Sequence, residues 1–426
     1  MDQPSSPPMS CDWLVRGGRV VDPANGLDGI RDVAIRDGRI FAVAESIDPA
    51  GAREIFDASG LVVTPGLIDL HVHGYEFVTP LGIDIDRHCL GRGTTTAVDA
   101  GSAGCDTFPG FRAFAAERFR TRLLAFLHIS RTGLSFAGLG GDNDTPGELE
   151  SLRFANSRDC ADCVGANRDL VVGVKIRLSD SIADGGRHEA ESYRRALEAA
   201  RSTGVPLMVH HNFSTVPHED CPGRLAPGDL WTHCYHGFPQ TLVDPATRRV
   251  IRVAREAVER GVLFDLGHGQ GSFNWTVAEI AAAEGFWPHT ISSDLHRGCA
   301  EGPCYDLPMA MSKLLHLGMP LEAVVRATTS AAAAAIGWGD HIGSLAPGRE
   351  ADLAVFALEE WDRPLEDCQS QQRRVNRLLR PRAVWRAGTP AAITEPACFP
   401  NTDSIARQRP WWGRLLVRDG TAPDSP

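Results

Sequence analysis

Long apolar runs are missing from this 426-residue chain. No stretch is long and apolar enough to span a bilayer, and no charged start leads into an apolar h-region, so the expected location is cytoplasmic. Basic clusters are missing too. Lys and Arg number 43 against 54 Asp and Glu, a net charge of −11, whereas nucleic acid or an anionic membrane demands clustered Lys and Arg. No disulfide or zinc framework appears: the eleven cysteines are scattered, and reduced, mostly buried thiols are expected. Cys160-Ala-Asp-Cys163 has no second pair to complete a zinc ribbon and reads as structural or incidental. No Gly-x-Ser-x-Gly elbow offers a serine nucleophile. Gly267, Gly269 and Gly271 form a glycine-rich loop, but without a following Lys-Ser/Thr it is no phosphate cradle.

What is present is the composition of an ordinary globular enzyme, 43% hydrophobic and 23% charged. The length suits one large domain and a smaller one. Residues 1–10, rich in Pro and Ser, read as a disordered tail. Short strands and tight turns follow at 13–15, 19–21, 32–36, 39–43 and 54–57, with Asp37-Gly38 as a hairpin signal. From residue 67 the rhythm becomes strand, loop, helix. Apolar strand candidates lie at 67–70, 94–100, 122–130, 170–178, 206–210, 229–234, 262–267 and 290–294. Helical patterns lie at 111–120, 187–202, 274–283, 308–317, 321–328 and 331–335. Apolar strands alternating with helices indicate a parallel sheet, and eight of them an α/β fold of the (β/α)8 TIM-barrel type, with its site at the strands' C-terminal ends. Strand signals return at 352–356 and 382–385. The expected organisation is a barrel over 65–338, a small β-sandwich domain from both chain ends (11–64 and 339–398), and an irregular tail over 399–426 in which Trp411-Trp412 could dock.

Everything turns on Thr64-Pro-Gly-Leu-Ile-Asp-Leu-His71-Val-His73-Gly74. Strand residues i and i+2 share a face, so His71 and His73 aim two imidazoles at one point where the strand ends. Imidazole is the commonest metal ligand. Further polar residues stand at other strand ends: Lys175, His210 or His211, His233 or His236, and Asp294. A lone strand-end histidine is more often a hydrogen-bonded core residue. Five strand ends offering His, Lys or Asp in one barrel are hard to attribute to packing. Lys175 sits in the apolar run Val171-Val-Gly-Val174-Lys175-Ile176, where an unpaired charge is costly. It is either ion-paired or a neutral amine, which can capture CO2 as a carbamate.

These residues, with Thr232-His-Cys-Tyr-His-Gly237, Phe264-Asp-Leu-Gly-His-Gly269, Thr290-Ile-Ser-Ser-Asp-Leu-His296 and Gly343-Ser-Leu-Ala-Pro-Gly-Arg-Glu-Ala-Asp352, resemble the amidohydrolase superfamily. They are most similar to its dihydroorotase-like branch of amidohydrolase/deacetylase metallohydrolases, some of which cleave acetyl esters of hydroxy acids. The resemblance implies two divalent ions, of zinc type. His71 and His73 would bind one together with Asp294, a carbamate on Lys175 would bridge both, and His210 and His233 would bind the second. Asp294 would act as general base and then general acid on a metal-activated water. Arg177, two residues beyond Lys175 on the same face, could grip a substrate carboxylate or pair with a loop acid. His268 and His296 could orient substrate or support the site from behind.

The expected function is hydrolysis of an amide or ester bond in a small, carboxylate-bearing N-acyl or O-acetyl substrate. Rivals are a cyclic-amide hydrolase of dihydroorotase type, a non-catalytic assembly protein, and a one-metal barrel. The expected partner is a small molecule, with no nucleic acid and no membrane, and the chain could form a homo-oligomer. The segment 212–228 could be a lid.

Overall fold

The computed structural model describes residues 10–136, 146–396 and 416–417. The expected N-terminal tail apart from Ser10, and Trp411-Trp412 with most of the C-terminal tail, lie outside the described residues. Five strands open the chain: β1 (Cys11–Asp22), β2 (Leu27–Arg36), β3 (Arg39–Ala44), β4 (Ala52–Asp57) and β5 (Val62–Pro65). Asp37 and Gly38 both take positive φ, 51° and 72°, the backbone that lets a two-residue hairpin follow strand twist.

The second sheet is parallel throughout. Its strands are β6 (Leu67–Val72), β7 (Thr94–Gly104), β8 (Arg122–His128), β9 (Val171–Leu178), β10 (Leu207–His211) and β11 (Leu230–Thr232). A short outer hairpin of β12 (Val243–Asp244) and β13 (Arg249–Val250) intervenes before β14 (Leu263–Phe264), the seventh member. Residues 290–295 close the ring. They bridge in parallel to both edges, Thr290 to Asp265 and Leu295 to Val72, with His73 N donating to Leu295 O at 2.9 Å and Leu266 N to Thr290 O at 3.0 Å. The result is a TIM-type barrel. The strand expected over 290–294 is a pair of bridges rather than a full ladder because Ser293 N is spent on the Asp69 carboxylate at 2.9 Å.

Inside the ring, Ile68, Leu70, Val98, Leu124, Phe126, Val172, Met208 and Leu230 are buried together. Each such side chain contributes roughly 1.5–3 kcal/mol. Helices Ser157–Ala166, Glu189–Thr203, Arg252–Glu259, Trp275–Ala283 and Leu307–His316 lie around it. Cys160 and Cys163 stand one turn apart on the first of these as free thiols. The helix expected over 111–120 runs instead as Phe108–Phe111 and a π turn over Arg112–Ala116. Asp86 ends it by accepting the amides of Arg120 and Thr121, at 3.0 and 2.9 Å. Among the described residues no helix is long and apolar enough to cross a membrane.

The chain then returns to the first sheet with β15 (Leu353–Glu366), β16 (Gln372–Arg386) and β17 (Thr389–Ala391). β15 pairs antiparallel with β5, Val355 opposite Val63, so both chain ends build one eight-stranded sheet. Here the sequence reading falls short. It expects brief strands at 352–356 and 382–385, whereas β15 and β16 form a long hairpin whose turn reaches the barrel mouth. Their outer halves are charged and lack apolar alternation. Cross-strand ion pairs hold them, such as Arg380–Glu359 at 3.0 Å and Arg374–Asp362 at 2.7 Å.

Candidate metal centre

His71 and His73 turn from β6 into the cavity, the pairing of that strand is irregular between Asp69 and Val72, and Asp69 and the two histidines do different work. Asp69 accepts the Ser293 amide, tying the eighth position of the ring to the first. His71 Nδ1 donates to Thr232 Oγ1 at 3.1 Å, because that hydroxyl already donates to Asp265 Oδ2 at 2.7 Å. His233 Nδ1 donates to Gly267 O at 2.7 Å, and His73 Nδ1 bonds Ser102 Oγ at 3.0 Å. With Nδ1 occupied in all three rings, Nε2 is left for the centre. Such partners behind a ligand are what fix a metal-binding tautomer.

The Nε2 atoms converge on Asp294. Its Oδ1 lies 3.4 Å from His71 Nε2 and 3.1 Å from His73 Nε2. Ligand atoms of His71, His233 and Asp294 all fall within 4.8 Å of one another. Lys175 Nζ is 3.3 Å from His71 Nε2. His210 joins from β10, its ring centroid 4.4 Å from that of His233. It differs from the others, for Nε2 meets Asn212 Oδ1 at 2.7 Å and only Nδ1 remains to offer.

The two histidine doublets separate. His211 turns away, with Nε2 on Val216 O at 2.8 Å and its ring beside Trp231. His236 reaches back to His211 O at 3.1 Å. Neither faces the cluster.

Burial governs the electrostatics. It pulls the Lys175 amine down to about 7 and pushes the Asp294 carboxyl up to about 6. It lowers His73 to about 4 and drives His71, His210 and His233 well below the usual imidazole range. Neutral imidazoles, a carboxyl and an amine that readily loses its proton are a donor set suited to a divalent cation.

The cluster floors a cavity of about 200 Å³ that Arg177, Asn212, Phe213, Phe238, His296 and Cys368 also line. Arg177 is bound bidentately by Glu148, Nε to Oε1 at 2.6 Å and Nη2 to Oε2 at 2.9 Å. Nη1 has no hydrogen bond among the described residues, so pairing with a loop acid and facing the cavity coexist. His296 lines the cavity, but His268 does not. His268 is buried behind it, its ring stacked on Phe273 at 4.8 Å and Nε2 2.8 Å from Lys313 Nζ. Of the two roles open to His268, this position fits support of the site from behind. In the segment 212–228, Val216, Cys221 and Leu225 are buried, and Tyr193 donates to Asp220 O at 3.2 Å.

Sequence reasoning missed Thr232, Asp265, Ser102 and Glu148. Thr232 and Asp265 lie inside motifs noted for their neighbours. Glu148 carries no local signal and matters only through Arg177.

A model of the amidohydrolase family matches residues 249–390. A deacetylase of Brucella anthropi is 33% identical over 382 residues, covering 89% of this chain and 92% of its own. The chain belongs to the amidohydrolase family. Membership makes it a metal-dependent hydrolase. Solved relatives agree: a crystal structure of a dihydroorotase superposes with a TM-score of 0.81 at 31% identity, over 91% of this chain and 99% of that one. A crystal structure of an adenine deaminase gives a TM-score of 0.81 at 29% identity, over 90% of this chain and 100% of that one.

Proposed function

We propose that this amidohydrolase cleaves an amide or ester bond in a small, carboxylate-bearing N-acyl or O-acetyl substrate at a binuclear centre. The convergence of bare imidazole nitrogens, Asp294 and a buried lysine carries the reading. His71, His73 and Asp294 would hold one ion, His210 and His233 the other, and Lys175 as a carbamate both. Divalent ions there, of zinc type, lower the pKa of water and polarise a carbonyl.

The chain's own residues do the rest. Asp294, at the point where the histidine Nε2 atoms converge, takes the proton of the attacking water and returns it to the leaving group. Arg177, oriented by Glu148, offers Nη1 to a substrate carboxylate. Leu81, Leu134, Phe213 and Phe238 on the cavity wall suit an apolar substituent. The deacetylase name of the Brucella relative favours an acyclic acyl group. The dihydroorotase structure supports a second reading, hydrolysis of a cyclic amide. We also infer that the eight-stranded sheet curls into a small sandwich, since Val20, Val33, Ile40, Val63, Val355 and Trp385 share one buried cluster.

The test is metal content per chain for protein produced with zinc and bicarbonate, beside Lys175→Ala, followed by turnover of acyclic and cyclic substrates. Two ions in the parent, with clear loss of metal and activity in the variant, are expected. One ion or none, unchanged by the substitution, rules out the bridged centre.

A further inference from the structure

Lysine occurs at only two positions, 175 and 313, in a chain whose other strong bases are arginines. Both are buried at the barrel mouth, and the centre uses only the first. Lys313, on helix Leu307–His316, spends its ammonium on three acceptors: Glu366 O at 2.6 Å, Pro303 O at 3.0 Å and His268 Nε2 at 2.8 Å. His268 Nδ1 is 3.1 Å from Gly269 O. One cation therefore pins the end of β15 to the loop after the seventh barrel strand.

What it pins is the hairpin turn 367–371. Cys368 N donates to Phe273 O at 3.0 Å, and Asp367 Oδ2 accepts Trp275 N at 3.0 Å. Gln369 Nε2 donates to Gly271 O at 2.9 Å. Cys368, 2% exposed, is the turn residue that lines the cavity. Its Sγ is 3.6 Å from Gly269 O, and a methyl group on Gly269 would stand 2.2 Å from Asp294 Oδ2. The thiol is thus one backbone thickness from Asp294, beside the seventh and eighth positions of the ring. Arg177 stands on the fourth, diametrically opposite the eighth in the observed strand order.

We propose that the tip of the C-terminal hairpin, through Cys368, is the wall that limits the size of the acyl group, with Lys313 as the positioning residue that holds it. The inference rests on the acyl-hydrolase reading above. If Arg177 grips the carboxylate of the leaving group and the scissile carbonyl sits at the centre, the acyl chain extends away from Arg177, toward Cys368. A thiol there leaves room for a short chain and excludes a longer one.

The experiment compares kcat/KM of the metal-loaded parent, Cys368→Ala and Cys368→Met over two series. One carries formyl, acetyl, propionyl and butyryl groups on a single leaving group; the other carries acetyl on leaving groups of increasing bulk. Cys368→Ala should shift preference toward longer acyl chains by about tenfold, and Cys368→Met toward shorter ones by a similar factor. The leaving-group series should keep its order. Lys313→Met should speed amide exchange over 366–371 and flatten acyl discrimination by raising KM for the short chain more than it lowers kcat. An unmoved acyl preference in an active Cys368→Ala enzyme overturns the wall, and so does an equal shift in both series. Unchanged exchange in Lys313→Met overturns the clamp. A parent inactive on both series overturns the acyl-hydrolase reading itself, an outcome distinct from an active parent whose preference does not move.

Discussion

Lys175 shows how one buried side chain couples chemistry to stability. Its amine is held near 7 in the folded, metal-free protein, against about 10.4 for an exposed lysine. Below pH 7 both folded and unfolded chains bind the proton. Between 7 and 10 the unfolded chain binds it and the folded chain does not, so the unfolding free energy rises with pH, by up to about 1.4 kcal/mol per unit from this group. Urea titrations of metal-stripped protein at pH 7 and 9 should show that rise in the parent and a flatter response in Lys175→Met. Equal slopes would mean that another group compensates or that Lys175 is charged in the fold. The same pH range supplies the neutral amine that carbamate formation requires. At this scale the sequence is informative for Lys175, since an amine amid valines has few explanations. It is silent on Glu148, whose role exists only once its loop meets β9.

Among the elements, the short strand ends and the loops after them set the geometry. Gly269 has φ +54°, and a side chain there would collide with Asp294. Gly269→Ala should therefore displace Asp294, costing about a hundredfold in kcat on whichever acyl substrate the parent turns over, with near-ultraviolet dichroism unchanged. Activity within a factor of about two of the parent would show that Asp294 tolerates the shift. Strand periodicity made the shared aim of His71 and His73 legible, because alternation is a local property of the backbone. The doublets were not legible in the same way. His233 has φ +67°, so the chain leaves β11 by a turn there, and alternation stops being a guide to where His236 points.

Over the whole molecule, the sheet built from the chain ends is locked under the barrel by charge. Arg122, at the start of β8, pairs with Glu350 and, at 3.0 Å, with Asp352. Arg386 on β16 pairs with the same two acids at 2.7 and 3.3 Å. Arg122 is 14% exposed and Asp352 8%, so removing one partner leaves a charge only partly solvated. Arg122→Met should lower unfolding free energy by about 1–3 kcal/mol, read as a lower urea midpoint at unchanged m. A midpoint equal to the parent's would show that Arg386 alone neutralises the acids. The amino-acid order by itself determined the alternation of apolar strands and helices, and hence the barrel. It also placed His71, His73, Lys175, His210, His233 and Asp294 at strand ends, since local periodicity and strand-end placement need no knowledge of the far chain. Only ring closure decided that these six converge while His211, His236 and His268 turn outward. Only the return of the long hairpin brought Cys368 to the mouth, with Glu366 O onto Lys313 of the barrel helix. Those outcomes depend on contacts between residues 100 to 224 positions apart, which no local pattern encodes.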